Sequence, residues 1–206
     1  MKIKNVRNFS DALSSAASLV PSKKNLNICL TGGNFGEGFL DHLIEEKIIS
    51  NEWEIFLSDE RLLPESGENL YLIYKERLQA SIYQFTTNLN YFVTKVDPKD
   101  SGTKISERIN TKEITNFDIT FLSLGEDGHL AGHFQNSLNL SDMFCYTDNA
   151  PKPPPARISF RLDWLKKSSI LVIMALGSQK RRAFIDLCNR SSHHSSLVDL
   201  DNVIII

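Results

Sequence analysis

Phe117-Asp118-Ile119-Thr120-Phe121-Leu122-Ser123-Leu124 runs directly into Gly125-Glu126-Asp127-Gly128-His129. The first segment is apolar, β-branched and aromatic over about eight residues, which predicts a buried strand. Two glycines then bracket two carboxylates, and a histidine follows at once. Gly125 and Gly128 permit a sharp turn and close approach of backbone to a ligand. His129 is the side chain best suited to move a proton near neutral pH. Asp127 either orients that imidazole or shapes the turn by bonding its own backbone.

The same strand-then-turn pattern recurs on both sides. Upstream, apolar residues at helical spacing predict a helix over 8–20, capped by Asn8 or Ser10 and stopped by Pro21. Residues 26–30 read as a strand that enters Thr31-Gly32-Gly33-Asn34-Phe35-Gly36, with a helix expected over 37–49. Such a glycine turn either presents N–H groups to a phosphate or is a plain tight connection. Residues 53–57 read as a strand ending in Ser58-Asp59-Glu60-Arg61. Helices are expected over 69–80 and 101–115, with a strand at 89–93 between them. Downstream, 130–134 suggests a helical turn, and 136–148 is polar and irregular. Ala150-Pro151-Lys152-Pro153-Pro154-Pro155-Ala156 reads as an extended connector, because proline removes N–H donors and restricts its neighbours. Strands at 157–162 and 169–176, a helical turn at Leu165, a helix over 177–188, a solvated loop at 191–196 and an edge strand at 203–206 complete the reading.

Strands alternating with helices predict an α/β fold: one domain over 1–206, with a largely parallel, doubly wound (Rossmann-like) sheet and helices on both faces. In such sheets ligands bind beyond the carboxyl ends of the strands. Gly32-Gly33, Asp59-Arg61, Asp127-His129 and Gly177-Lys180 all fall at such ends, so topology alone brings them to one rim. Arg61 and Lys180 are cations there, and Arg157 follows the proline connector within reach. Three converging cations suit a phosphate dianion, with Arg supplying a bidentate fork.

Composition narrows the alternatives. The chain has 206 residues, 41% apolar and 23% charged, with a formal net charge of −2. That balance gives no general attraction to nucleic acid or an anionic membrane. Its three cysteines, Cys29, Cys145 and Cys188, are far apart and read as reduced thiols. Residues 1–10 lack the apolar core of a signal peptide, and no apolar run is long enough to span a bilayer. A soluble, cytoplasmic monomer or weak homodimer is expected. His129 and His133 are spaced i, i+4, but no H-E-x-x-H motif is present, so no metal is expected; His193-His194 reads as solvated. Neither a P-loop, a G-x-G-x-x-G run nor a G-x-S-x-G elbow occurs, and no cofactor is expected.

At these residues the sequence resembles the 6-phosphogluconolactonase family, within the superfamily shared with glucosamine-6-phosphate deaminase/isomerase. Leu30-Thr31-Gly32-Gly33 is similar to its glycine loop. Ser58-Asp59-Glu60-Arg61, with Pro64 and Asn69, is similar to its D-E-R block. Phe117-Asp118 through Leu124-Gly125-Glu126-Asp127-Gly128-His129-Leu130-Ala131 is similar to its D-G-H block. Pro155-Ala156-Arg157-Ile158-Ser159 and Gly177-Ser178-Gln179-Lys180 are similar to its last two blocks. The resemblance implies hydrolysis of 6-phosphogluconolactone to 6-phosphogluconate, a pentose phosphate pathway step, without a metal. It makes His129 the general base, with Arg61, Arg157 and Lys180 on the sugar phosphate. The chain departs from the pattern at Asn34-Phe35-Gly36, Glu68, Glu126 and Gly132-His133. Two other readings of the same residues are a deaminase/isomerase and a non-catalytic sugar-phosphate-binding protein. The deaminase branch carries A-F-N-E-P where this chain has Ala131-Gly132-His133-Phe134-Gln135.

Overall fold

The structure, a computed structural model, describes residues 1–62, 69–81, 88–94, 96–134, 136–151 and 153–206. Pro64, Glu68, Gln135 and Lys152 lie outside the described residues. The first half of the chain contains β1 (Lys2–Ile3), α1 (Phe9–Ala17), β2 (Asn27–Leu30), α2 (Gly33–Glu45), β3 (Glu54–Leu57), β4 (Asp59–Arg61) and α3 (Leu70–Ala80). Next come β5 (Asn88–Asn90), α4 (Pro98–Ser101), α5 (Thr103–Thr111), β6 (Ile119–Ser123), β7 (Leu138–Asn139) and β8 (Phe144–Thr147). The chain finishes with β9 (Arg157–Phe160), α6 (Leu162–Leu165), β10 (Ile170–Met174), α7 (Arg181–Cys188) and β11 (Val203–Ile205).

Seven strands form one sheet in the order β1-β11-β10-β6-β2-β3-β5, and every pairing in it is parallel. Side chains alternate across it, as the two-residue period requires. Ile28, Leu30, Ile119 and Phe121 pack with α1, α2 and α3 on one face. Cys29, Leu122, Leu171 and Ile173 pack on the other with α5 and α7. Both faces are therefore buried, which explains why these strands are nearly continuous apolar runs. The helices start where local chemistry allows. Asn8 Oδ1 accepts the Asp11 N–H (2.9 Å) at α1, and Asn69 Oδ1 accepts the Leu72 N–H (2.9 Å) at α3. Glu54, buried in β3, is paired with Arg108 of α5, whose Nε donates to it at 2.9 Å.

A second sheet, β4-β9-β8-β7, is antiparallel and was not expected. Its Phe144, Ile158 and Phe160 join the core beneath the second face of the large sheet. Asp59–Arg61 is thus a strand of its own rather than the end of the preceding one, and β7 and β8 occupy the stretch expected to be irregular. Four further differences each have an identifiable cause. α2 begins at Gly33, within the expected glycine loop, because Gly36 packs against Thr31 so tightly that a Cβ would stand 1.8 Å from its carbonyl oxygen. Leu130 to Phe134 forms no helical turn; Leu130 instead bridges Leu124 and His133. The proline connector, expected to be extended, has its two ends brought together by the Ala150 N–H donating to Pro155 O (3.0 Å). β11 lies inside the sheet, not at its edge, because β1 pairs outside it. Among the described residues no helix is long and apolar enough to cross a membrane.

Candidate active site

The turn after β6 is closed by its own backbone. The Gly125 N–H donates to His129 O (2.8 Å), and the Gly128 N–H to Gly125 O (3.1 Å). Gly128 sits at φ +85°, a conformation that disfavours any side chain. A Cβ on Gly125 would stand 2.2 Å from His129 Nδ1, so the imidazole lies directly over that glycine. Asp127 Oδ1 meets His129 Nδ1 at 2.5 Å and also receives the His129 N–H at 3.4 Å. Asp127 therefore does both things the sequence allowed: it shapes the turn and orients the ring. Burial raises the Asp127 carboxyl, but the hydrogen bond and charge of His129 outweigh it and hold it below its ordinary value. With Nδ1 engaged, Nε2 is the ring nitrogen left for proton transfer. Phe134 packs on the ring, centroids 4.6 Å apart, and fixes its plane.

The charged part of the site comes from the antiparallel sheet. Arg61 of β4 and Arg157 of β9 are direct cross-strand partners, and Asp59 stands opposite Ser159. Like charges placed opposite one another destabilise a strand pair, so this arrangement favours an anion between them. Arg157 is 8% exposed, and burial lowers its guanidinium from the ordinary value while Asp59 opposes that change. Burial raises the Asp59 carboxyl; the Ser58 hydroxyl donating at 2.6 Å and the charges of Arg157, His129 and Arg61 pull the other way. Asp59 thus sits within the field of both the arginines and the imidazole. Lys180 lies in the single 3-10 turn Ser178–Lys180 before α7, and its Nζ donates to Ser123 Oγ (2.8 Å) at the end of β6. Gly32 caps α2 and Gly33 opens it, so the N–H groups and positive dipole end of that helix belong to the same region.

All of these residues line one cleft of about 1040 Å³: Gly32, Gly33, Asp59, Arg61, Asp127, His129, Arg157 and Lys180. Sequence reading did not single out Ser123, Phe134 or Gln179, which line it too, or Glu60 beneath it. Glu60 is fully buried and accepts N–H groups from Arg61 (2.8 Å), Leu70 (2.9 Å) and Tyr71 (3.0 Å). It ties the strand carrying Asp59 and Arg61 to the start of α3. Burial raises its carboxyl to about 7 against those three bonds. The signal that could have found it is a carboxylate between two cleft residues on a strand, which must point into the core.

Of the histidines outside the turn, His193 is exposed as expected, whereas His133 and His194 differ from expectation. His133 does not share a helix face with His129; its Nε2 donates to Phe160 O at 3.0 Å, and the Gly132 N–H donates to Ser159 Oγ at 3.2 Å. These bonds dock the turn onto β9 and account for the Gly132-His133 departure. No group of three or more His, Cys, Asp or Glu suited to a metal occurs among the described residues. His194 is not solvated: it is 4% exposed, and burial lowers its imidazole to about 3.

Comparison with known proteins places this architecture. A family model described as glucosamine-6-phosphate isomerases/6-phosphogluconolactonase matches residues 6–201. The chain belongs to this family. A relative from Oryza sativa subsp. indica, probable 6-phosphogluconolactonase 2, is 32% identical over 179 residues, covering 76% of this chain and 62% of its own length. The chain thus spans less than two thirds of that relative. The 6-phosphogluconolactonase structure from Thermotoga maritima superposes with a TM-score of 0.80 at 21% identity, covering 99% of this chain and 97% of the other. That from Trypanosoma cruzi gives 0.79 at 20% identity, covering 100% and 93%. At these identities the structural likeness is one of fold. The family's fold is shared by isomerases and lactonases, so the reaction has to be read from the side chains in the cleft.

Proposed function

We propose that this chain hydrolyses 6-phosphogluconolactone to 6-phosphogluconate. The observation that carries the reading is that the Asp127–His129 pair and the opposed Arg61–Arg157 pair line the same cleft. One end supplies an oriented base and the other a seat for a dianion. Arg61, Arg157 and Lys180, with the α2 N-terminus at Gly32 and Gly33, hold the phosphate. His129 Nε2 takes a proton from water as its oxygen attacks the lactone carbonyl. The tetrahedral intermediate collapses with cleavage of the bond to the ring oxygen, which leaves with the proton returned by His129. The product carboxyl then releases one proton. Asp127 holds the ring in one tautomer and stabilises its cationic form. Such acid–base assistance is worth roughly 10²–10⁴-fold, and anchoring the phosphate fixes the distant carbonyl relative to the base. The relatives' names support the reading. The core shared by the two sheets supports a single domain over 1–206.

The test is acid release from freshly generated lactone above the spontaneous rate. Wild type is expected to accelerate it, and His129→Ala to lose roughly 10²–10⁴-fold in kcat. Equal rates for the two proteins would overturn the mechanism. Binding of 6-phosphogluconate without turnover would indicate a sugar-phosphate-binding protein, and ammonia release from glucosamine 6-phosphate a deaminase.

A further inference from the structure

The Asp127–His129 turn has a second side. A separate cavity of about 330 Å³ shares Asp127, His129 and Phe134 with the substrate cleft and is otherwise lined by Asn136, Thr147, Asn149 and His193. The proton-transfer pair is therefore common to both spaces. The additional side chains are all polar, and a polar space of this size holds several ordered waters. His193 is exposed where it lines the cavity, and its ring rests 3.8 Å from that of buried His194.

We propose that this cavity is the route by which the reaction's proton leaves the Asp127–His129 pair, with His193 as the relay to solvent. The inference rests on the hydrolytic reading above. Lactone plus water gives a carboxylate plus one proton, and the cleft in which the acid forms is lined with groups holding the substrate's phosphate. His129 takes that proton from the product carboxyl, water in the smaller cavity accepts it from the pair, and the water passes it to a His193 nitrogen. The other ring nitrogen releases a proton outward, and His193 returns to the neutral form. The groups facing His193 are Asp127 and His129 from the turn and His194 beside it. Burial and the His129 charge lower the His193 imidazole, against Asp127, so it starts each cycle neutral and able to accept. His193 is a relay and does not touch the substrate.

The experiment follows lactone disappearance with the full chain at fixed neutral pH, in dilute and in concentrated imidazole buffer, after subtracting the spontaneous rate in each. His193→Gln is expected to lose about tenfold in kcat in dilute buffer, less than a direct acid–base group contributes, with KM unchanged. Concentrated imidazole is expected to restore it, while wild type responds to neither buffer. Asn149→Leu, which fills the cavity without removing a titratable group, is expected to show the same dilute-buffer loss. The relay is overturned if His193→Gln matches wild type in dilute buffer, or if its loss is equal in both buffers. If His193→Gln does not fold, Asn149→Leu decides alone, and wild-type kcat in that variant overturns the route. A wild type that does not accelerate hydrolysis at all overturns the parent reading and the relay together, whereas an active wild type with an unaffected His193→Gln overturns the relay alone.

Discussion

The two sheets meet at one cleft but supply it in different ways. β6 of the parallel sheet is buried through most of its length and delivers its chemistry only past its end, in the Gly125–His129 turn. β4 and β9 of the antiparallel sheet deliver Asp59, Arg61 and Arg157 from within the strands, while Glu60 and Ile158 between them go to the core. The difference follows from packing. A parallel sheet covered on both faces has no free face on which to carry a charge, whereas a small antiparallel sheet keeps one. The Asp127–His129 pair thus sits at the end of the rigid frame and the opposed arginines on the lighter sheet, with Lys180 and the start of α2 meeting them from the frame.

If that division is functional, substitutions in the two regions should separate into different kinetic constants. The largest effect is expected on the frame. Asp127→Asn leaves the turn's backbone bonds possible but loses the carboxylate that orients the imidazole. Its kcat should fall by about 10²-fold, the low end for an acid–base group, with little change in KM; steady-state kinetics check this. On the small sheet, Arg157→Met should act through KM. Loss of a charge-assisted hydrogen bond costs about 1.5–3 kcal/mol, or roughly 10- to 100-fold in kcat/KM. Its urea midpoint should not fall, since the variant also relieves the Arg61–Arg157 repulsion. A kcat loss with unchanged KM in Arg157→Met would break the division.

A test on stability rather than kinetics lies where β4 joins α3. The Glu60 carboxyl is raised from 4.5 to about 7 in the folded protein. A raised folded pKa means that its contribution to stability is fully present below pH 4.5 and lost as pH rises to about 7. In Glu60→Gln that slope should vanish, so urea unfolding curves for wild type and variant diverge between these values and run parallel outside them. Parallel curves throughout would show that Glu60 is not strained by its burial.

The same contrast decides what could be read from the sequence. β2, β3, β6 and β10 were legible because burial on both faces forces apolar runs, and the turn was legible because glycines mark its bends. The Asp59–Arg61 strand was not, since three charged residues carry no strand signature and its pairing with β9 joins residues far apart in the chain. Phe144-Cys145-Tyr146-Thr147 does carry an aromatic, β-branched signal, but it was masked by the polar residues around it. The start of α2 was missed because Gly33 and Gly36 have poor helix propensity, and close packing against Thr31 overrides it. His194 was misread because its serine neighbours suggest solvent, whereas the chain folds it beneath the turn. Every residue assigned to the cleft from sequence lines it, because strand ends in a parallel sheet share one rim.

The strand order also sets a timetable. β10 pairs with β6 along one edge, but its other edge receives Val203, Ile204 and Ile205. During synthesis Leu171, Val172 and Ile173 are made well before those partners, an interval on the order of seconds. Until those residues pair, β10 keeps one apolar edge with unpaired backbone groups, the kind of edge that recruits strands from other molecules. Then β11 slots between β10 and β1, and residues 2–3 gain their partners as well. Residues 203–205 therefore act as the closing stitch of the sheet, and a chain stopped just short of them would leave two strands unsealed at once.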